Sequence, residues 1–315
     1  MKIAIIGCGS LGLLWGARLA QTGHELTLIT RTQEQQQSIN DQGIQIEWLD
    51  GKAQTIPVCA KWVQDCFPSS FDFILVTVKQ VHLAEVIPVL QQITHPATRL
   101  LFWQNGLGHE KQIARLKNRP WTYAAITTEG ARKISDHRVK HTGTGEIAIG
   151  AFPDFLPTDP ILEKWIAELI DRFGFQINLD GQIAKKMWEK LAINCAINPL
   201  TALEQIRNGE LLKPTYTWIM KQICAEVVAV ANRKGFSFEL SNILYKVTSV
   251  CQQTAQNISS MLQDMQKGVQ TEIDYLNGAV VKYGKEEKVP TPINEKLVKQ
   301  VHQKEEQQMS KKRRE

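Results

Sequence analysis

Short, nearly continuous apolar runs alternate with glycines and polar residues through the first half of the chain. The clearest run is 71–78 (FDFILVTV), and runs of this kind are typical of strands buried on both faces of a parallel sheet. Around Asp50-Gly51 polar and apolar residues alternate, which predicts a β-hairpin over residues 44–58. Further strands are predicted before Gly7 and at 24–30, 100–103, 121–128, 137–142 and 146–150, with helices from Ser10 to about Thr22 and from about 160 to 172.

The second half of the chain, from about residue 181, has an almost wholly helical pattern. Three polar residues, Lys190, Asn194 and Asn198, interrupt an apolar run at intervals of four, and helical spacing puts them on one face. A lysine in such apolar surroundings needs a route to water or partners that receive it. The two asparagines favour a functional site over a snorkelling lysine, although Pro199 disfavours helical backbone at Asn198 and weakens its place on this face.

These patterns predict an α/β Rossmann-like N-terminal domain with a mostly parallel sheet, followed by an all-α C-terminal domain. We place the boundary near residue 180, which gives a dinucleotide-binding domain at 1–180 and a helical substrate domain at 181–315. A length of 315 residues agrees with about two domains. The chain from about residue 302 has almost no apolar content and ends in a basic run at 311–314, so we expect it to be frayed or disordered.

Residues 7–12 read Gly-Cys-Gly-Ser-Leu-Gly, a G-x-G-x-x-G pattern placed directly after a predicted strand and before a predicted helix. In a dinucleotide-binding turn Gly7 would permit the tight turn, Gly9 would let a pyrophosphate approach the backbone, and Gly12 would allow close helix packing. The helix N-terminus offers N–H groups to the anion. The alternatives are an ordinary glycine turn and a signal peptide, and Arg18 and the glycines argue against the second.

Arg31 follows the second predicted strand, where NAD-binding domains usually carry Asp or Glu for the ribose hydroxyls. An arginine suits the 2′-phosphate of NADP(H), so we predict NADP(H) over NAD(H); the alternative is a solvated loop arginine, with Glu34 close by. Lys79 and Asn105 follow two further predicted strands, and ligands of open α/β sheets bind beyond the carboxyl ends of the strands. We therefore expect both to reach the same rim as Arg31, although Asn105-Gly106 is also a common turn.

Composition and charge narrow the classes of function. The chain is 43% hydrophobic and 22% charged, and no apolar run reaches the length of about 18 residues that a membrane span needs. The net charge of +5 comes partly from the C-terminal basic run and does not require nucleic acid. The six cysteines show no C-x-x-C pair and no metal-ligand spacing. We expect a cytoplasmic enzyme with reduced thiols, no metal, and no membrane or nucleic-acid partner, present as a monomer or homodimer.

Eight short motifs run through the chain. They are GCGSLG at 7–12, Arg31, TVK at 77–79, QNGLG at 104–108, TT at 127–128, the stretch from Lys190 to Thr201, NISSMLQD at 257–264 and TEIDYLNG at 271–278. Through them nearly the whole chain resembles the ketopantoate reductase family, also called 2-dehydropantoate 2-reductases. The last three motifs together are specific, whereas many dehydrogenases share the glycine pattern.

The resemblance implies NADPH-dependent reduction of a small 2-keto acid, 2-dehydropantoate, to (R)-pantoate in pantothenate and coenzyme A biosynthesis, with the site in a cleft between the two domains. Lys190 would be the general acid that protonates the carbonyl oxygen as hydride arrives, and Glu272 would orient it. The residues implied to contact the cofactor are Gly7, Cys8, Gly9, Ser10, Leu11, Gly12, Arg31, Lys79, His82 and Asn105. The residues implied to contact the substrate are Asn105, Lys190, Asn194, Asn198 and Ser260, with Asp264 supporting the wall.

Other interpretations stay open at some of these positions. Glu272 is also suited to begin a helix after Thr271, and Ser260 on its own is more typical of a packing residue. Relatives often carry glutamine three residues after Lys79, where this chain has His82, and this bears on cofactor affinity. Other functions compatible with the sequence are a related NADP-dependent 2-keto acid reductase, a β-hydroxyacid dehydrogenase and a non-catalytic NADPH sensor.

Overall fold

The chain forms two compact units. The structure is a computed structural model that describes residues 1–65, 70–118, 120–153 and 158–312, with 309–312 described by their backbone alone. The N-terminal unit holds Met1–Gln104 and His109–Ala184, and the C-terminal unit holds Asn105–Gly108 and the residues from Lys185 onward. Of the residues considered above, Cys66, Arg313 and Arg314 lie outside the described ranges.

Strands and helices alternate along most of the N-terminal unit. The strands are β1 (Lys2–Ile6), β2 (Glu25–Thr30), β3 (Ile44–Glu47), β4 (Ala53–Ile56), β5 (Cys59–Trp62), β6 (Phe73–Val76), β7 (Arg99–Phe102), β8 (Trp121–Thr127), β9 (Gly130–Lys133), β10 (Arg138–Gly143), β11 (Ile147–Ala151) and β12 (Ile177–Leu179). The helices are α1 (Ser10–Leu19), α2 (Gln33–Gln42), α3 (Leu83–Ile93), α4 (Glu110–Ile113) and α5 (Pro160–Phe173).

The main sheet has eight strands in the order β5-β2-β1-β6-β7-β8-β11-β12. Neighbouring strands are parallel except β8 and β11, which run antiparallel. The strand order reverses at β1, which has β2 on one side and β6 on the other. In doubly wound sheets a ligand binds beyond the carboxyl end of the strands at such a switch point. The predicted α/β fold with a mostly parallel sheet is confirmed.

Helix α5 is fixed to the sheet by aromatic stacking and by a buried ion pair. Trp165 of α5 stacks on Phe73 of β6, with 4.2 Å between ring centroids. Asp159, the residue before α5, caps the helix and accepts hydrogen bonds from Arg99 Nε and Nη2 at 2.8 and 2.7 Å. The hydroxyl of Tyr123 donates to the same carboxylate at 2.8 Å. All of these polar groups are buried, so their stabilising effect depends on the network being complete.

A second sheet of four strands, in the order β4-β3-β10-β9, belongs to the same unit. Strands β3 and β4 pair antiparallel, and the turn between them carries Asp50 and Gly51. Gly51 has φ +83°, and the Asp50 carboxylate accepts from the backbone N–H of Lys52 at 3.0 Å. The antiparallel pairing of β3 with β4 confirms the predicted hairpin. Its turn uses the residue types that such a reversal needs.

Helices make up most of the C-terminal unit, as the sequence pattern predicts. They are α6 (Ile183–Glu204), α7 (Pro214–Arg233), α8 (Leu240–Gln253), α9 (Ser260–Lys267), α10 (Asn277–Glu287) and α11 (Pro292–Lys312), with 3-10 turns at Asn208–Leu212 and Ile273–Tyr275. Helix α6 continues through Pro199, so the backbone at Asn198 stays helical. Among the helices in the described ranges, none combines the length and the apolar content needed to cross a membrane.

The sequence predicts a frayed chain end from about residue 302, and the structure describes this region as part of a helix. Helix α11 runs to Lys312, and its side chains at Leu297 and Val301 are buried. Glu305 is only 7% exposed and accepts a hydrogen bond from the backbone N–H of Thr271. The segment docks through a few buried positions and one buried carboxylate, which its low apolar content does not reveal.

Candidate active site

The glycine turn after β1 has the backbone geometry of a dinucleotide-binding turn. Gly7 has φ +103°, and a Cβ there would lie 2.6 Å from the backbone nitrogen of Val78. A Cβ on Gly12 would overlap the carbonyl oxygen of Gly7, so α1 approaches the turn more closely than any side chain permits. At Gly9, which caps α1, a Cβ would meet nothing within 4 Å. This open backbone at a helix N-terminus fits a pyrophosphate.

The other three residues of the turn direct their side chains toward the protein. Cys8 is buried, its thiol lies 3.7 Å from the carbonyl oxygen of Ile29, and burial raises its pKa to about 12. The hydroxyl of Ser10 accepts from the backbone N–H of Lys133 at 2.9 Å, and Leu11 packs against the apolar core. Backbone N–H groups are therefore what this turn offers a phosphate.

Arg31 and His82 lie together in the N-terminal unit. Arg31 directly follows β2, and its Nη1 lies 3.2 Å from Nε2 of His82. Because a guanidinium only donates, this contact requires Nε2 to accept, and the neutral ring then carries its proton on Nδ1. Nδ1 lies 3.5 Å from a carboxylate oxygen of Glu85. Lys79 is the residue before the 3-10 turn that carries His82, so Arg31 follows β2 while Lys79 and His82 follow β6, and these two strands flank β1.

One residue near Arg31 was missed by sequence reasoning. The indole of Trp62, at the end of β5, donates to the backbone carbonyl of Arg31 at 3.1 Å. This bond helps to fix the backbone of Arg31 at the end of β2. Only the strand order, which places β5 beside β2, reveals the contact.

Asn105 lies in a short loop that packs within the C-terminal unit. The N–H of Leu107 donates to the carbonyl oxygen of Tyr275 at 3.0 Å. Gly106 has φ +79°, and a Cβ there would overlap that same carbonyl oxygen. Asn105 therefore sits beside the segment that carries Glu272, and the turn interpretation and the site interpretation are compatible at this position.

Lys190 lies partly buried on α6, among the buried residues Leu191 and Cys195. Burial lowers its pKa from 10.5 to about 8, while the negative charge of Glu272 acts in the opposite direction. Asn194 is partly buried on the same helix, and Asn198 is 8% exposed. The structure thus brings Lys190 and Glu272 together, with the asparagine face that the spacing predicts.

Glu272 and Ser260 occupy different surroundings within the same unit. Glu272 is 8% exposed and precedes the 3-10 turn Ile273–Tyr275, so it begins a short turn, and its charge raises the pKa of Lys190. Ser260 is exposed and is the first residue of α9. The preceding residue, Ser259, provides the cap by accepting from the N–H of Leu262 at 3.1 Å. The packing interpretation therefore applies to Ser259 and not to Ser260.

A buried contact between α6 and the start of α9 was not predicted. Thr201, fully buried one turn beyond Ile197, donates its hydroxyl proton to the hydroxyl of Ser259 at 2.8 Å. Asp264, one turn after Ser260, is buried, as expected for a residue that supports a wall. The contact keeps Ser260 close to the helix that carries Lys190. Thr201 lies within one of the matching motifs, but its partner is invisible in one sequence.

No cluster suited to a metal ion occurs among the described residues. Within those ranges no group of three or more His, Cys, Asp or Glu side chains has the arrangement of a metal site. The described cysteines, Cys8, Cys59, Cys195, Cys224 and Cys251, are all free.

A glycine turn at the switch point of a doubly wound sheet, joined to a helical unit with a partly buried lysine, is typical of a nicotinamide-dependent oxidoreductase. Two family models match the chain: Ketopantoate reductase PanE/ApbA over residues 3–154, and Ketopantoate reductase PanE/ApbA C terminal over residues 182–305. The chain belongs to the ketopantoate reductase family.

Individual relatives agree with this membership over nearly the full length. The 2-dehydropantoate 2-reductase of Vibrio cholerae is 32% identical over 302 residues, 96% of this chain and 97% of the relative. The crystal structure of a probable 2-dehydropantoate 2-reductase from Bacillus subtilis is 34% identical, with a TM-score of 0.80 over 96% of this chain and all of that one. The structure of D-mandelate dehydrogenase with NADH and anilino(oxo)acetate is 26% identical, with a TM-score of 0.90 over 98% and 99% of the two chains.

Proposed function

We propose that this protein reduces 2-dehydropantoate to (R)-pantoate with NADPH, with Lys190 as the general acid. The observation that carries the proposal is the partly buried amine of Lys190, whose pKa lies at about 8 with the carboxylate of Glu272 beside it. Family membership and the names of the full-length relatives support the substrate. Reduction of this keto acid is a step toward pantothenate.

Two opposing effects suit Lys190 to this step. When bound, NADPH supplies the hydride that converts the carbonyl into an alkoxide. Burial makes the Lys190 ammonium a stronger acid, while Glu272 keeps it protonated near neutral pH. The ammonium then stabilises the developing negative charge and donates its proton to the carbonyl oxygen. A general acid works best when its pKa is close to the working pH, and about 8 meets that condition.

The amide and hydroxyl groups near Lys190 are the proposed substrate contacts. Asn194 and Asn198 share its helix face, Asn105 lies beside the segment of Glu272, and Ser260 is exposed at the start of α9. These groups can donate hydrogen bonds to a carboxylate or pair with a hydroxyl. They fit a small, polar keto acid better than an extended apolar one.

The proposed preference for NADPH depends on Arg31 and His82. The exposed guanidinium of Arg31, held 3.2 Å from the imidazole of His82, offers planar donors that suit a phosphate. Glu34, the nearest candidate for binding ribose hydroxyls instead, is exposed in the first turn of α2. The open turn at Gly9 would hold the pyrophosphate and Lys79 a further phosphate or ribose oxygen.

The decisive experiment follows NADPH absorbance with purified protein and four conditions: ketopantoate, ketoisovalerate, 2-oxo-2-phenylacetate and no substrate. Ketoisovalerate lacks the terminal hydroxyl, and a site built to hydrogen-bond that group penalises its loss strongly. Saturable turnover that prefers ketopantoate supports the proposal. A preference for ketoisovalerate would support the proposed reduction of a 2-keto acid but contradict the role in pantothenate biosynthesis. NADPH binding without turnover would indicate a sensor.

A second candidate is a reductase for an aromatic 2-keto acid. The observation that favours it is the fold match to D-mandelate dehydrogenase, whose TM-score of 0.90 exceeds the 0.80 of the Bacillus subtilis structure. Preference for 2-oxo-2-phenylacetate, the keto acid that corresponds to mandelate, would select this candidate.

The described cysteines are free thiols, which supports a cytoplasmic location for either enzyme.

A further inference from the structure

Helix α11 holds the segment on either side of Glu272. The carboxylate of Glu305 accepts from the backbone N–H of Thr271 at 2.8 Å. Its other oxygen lies 3.1 Å from Nδ1 of His302, and Nε2 of His302 lies 2.9 Å from the carboxylate of Asp274. Glu305 therefore contacts Thr271, the residue directly before Glu272, and His302 contacts Asp274, two residues after it.

The surroundings make Glu305 unusual for a residue near the end of a polar helix. Glu305 is 7% exposed and Thr271 is 1% exposed. A buried carboxylate is costly unless hydrogen bonds satisfy it, and here the partners are Thr271 and His302. Burial opposes a charged imidazole, but the hydrogen bonds to Asp274 and Glu305 raise the pKa of His302 above its ordinary value.

The segment that α11 holds also supports two parts of the candidate site. The carbonyl oxygen of Glu272 accepts from the N–H groups of Tyr275 and Leu276 at 3.0 and 3.1 Å. The carbonyl oxygen of Tyr275 accepts from Leu107, two residues after Asn105. A displacement of this segment would move both the carboxylate beside Lys190 and the loop of Asn105.

We propose that Glu305, assisted by His302, is a positioning residue that keeps the Glu272 carboxylate beside the Lys190 amine. The inference rests on the proposed function, in which Lys190 is the acid and Glu272 its partner. Because the charge of Glu272 raises the pKa of Lys190, a Glu272 that moves away leaves the amine with a lower pKa. Glu305 therefore sets the acidity of Lys190 without touching the substrate.

The test compares Glu305→Ala with Glu305→Gln and with Glu306→Ala. A glutamine retains an oxygen that accepts the Thr271 N–H, and Glu306 is an exposed residue of the same type at the next position of α11. We expect Glu305→Ala to lower kcat about ten- to a hundredfold, since small displacements of catalytic groups have effects of this size. Glu305→Gln should recover most of the loss, and Glu306→Ala should match the wild type.

A measurement that does not need turnover separates positioning from a purely structural role. The pKa of Lys190 can be read from the pH dependence of its acetylation by acetic anhydride, quantified by mass spectrometry of the peptide. We expect Glu305→Ala to lower this pKa, and His302→Gln to lower it by a smaller amount if Glu305→Ala folds poorly. In a Glu272→Gln background Glu305→Ala should lower neither kcat nor the pKa further.

The outcomes distinguish the inference from the proposed function. Equal losses of kcat from Glu305→Ala with and without Glu272→Gln, or an unchanged pKa of Lys190, would reduce Glu305 to a structural anchor and overturn the inference. If Glu272→Gln alone left both kcat and the pKa of Lys190 at wild-type values, the role of Glu272 would be wrong, and the role of Glu305 with it. If the pKa responds as expected but no keto acid is reduced, the inference stands and the proposed function fails.

Discussion

Replacing Lys190 with alanine is the most direct perturbation of the proposed chemistry. The variant lacks the group that protonates the developing alkoxide, so we expect kcat to fall by about two to four decades. This corresponds to about 3–5 kcal/mol of lost transition-state stabilisation. NADPH binding should persist, because the glycine turn and Arg31 belong to the N-terminal unit.

The pH dependence follows from the pKa of the same amine. The difference between 10.5 and about 8 means that the fold disfavours the charged form of Lys190 by about 3 kcal/mol. The acid form is present at neutral pH and falls tenfold for each further unit above about pH 8. We therefore expect kcat to be constant near neutral pH and to decline with unit slope in alkaline solution.

The assay measures NADPH oxidation with ketopantoate from acidic to alkaline pH for three variants. Lys190→Ala and Lys190→Arg test the acid, and Lys221→Ala, an exposed lysine on α7, is the control. Because a guanidinium stays protonated, any turnover that remains in Lys190→Arg should lose the alkaline decline. Turnover of Lys190→Ala within about threefold of wild type, or an unaltered alkaline decline in Lys190→Arg, would refute the reasoning.

Three further perturbations test separate parts of the structure. Arg31→Ala should raise the KM for NADPH about tenfold or more while changing that for NADH little, since only the 2′-phosphate loses its partner. Asp159→Ala should lower the free energy of unfolding in urea by about 3–5 kcal/mol, because Arg99 is left buried and unpaired. The charges of Asp274 and Glu305 face His302, and its pKa is raised in the folded protein. Protonated His302 therefore stabilises the fold fully below about pH 6.5, the ordinary pKa of an imidazole. This stabilisation is lost as the pH rises through the higher pKa of His302 in the folded protein. The Tm deficit of His302→Asn should therefore be largest in mildly acidic solution.

Matched controls define what would contradict these expectations. Asp171→Ala removes an exposed acid from the same helix as Trp165, and an equal loss in Asp171→Ala and Asp159→Ala would exclude the buried network as the cause. An unchanged NADPH preference in Arg31→Ala would remove Arg31 from the cofactor site. A Tm deficit in His302→Asn that grows as pH rises would have the wrong sign.

The elements that the sequence predicts correctly are those whose signals are local. The glycine turn, the buried strand β6 and the Asp50-Gly51 hairpin each depend on residues within about ten positions of one another. The face of Lys190 and Asn194 follows from helical spacing alone. Local chemistry and the final packing agree at these positions, so one sequence is sufficient.

The features that escaped prediction depend on contacts between distant parts of the chain. The end of α11 looks too polar to fold, yet Glu305 pairs with a residue 34 positions earlier. Ser259 and Ser260 look interchangeable in the sequence, and the buried contact of Ser259 with Thr201, 58 positions away, cannot be read from it. Composition and periodicity contain no information about such partners.

The loop Asn105–Gly108 comes from the middle of the N-terminal half but packs within the C-terminal unit, so the chain passes from one unit to the other three times. A C-terminal fragment that begins near residue 181 would lose the stretch of backbone that satisfies the carbonyl oxygen of Tyr275. The N-terminal unit consequently cannot be exchanged as one continuous stretch of chain without removing residues that pack within the C-terminal unit. An exchange between relatives, whether in the laboratory or by recombination, preserves the lysine site only when residues 105–108 travel with the helices.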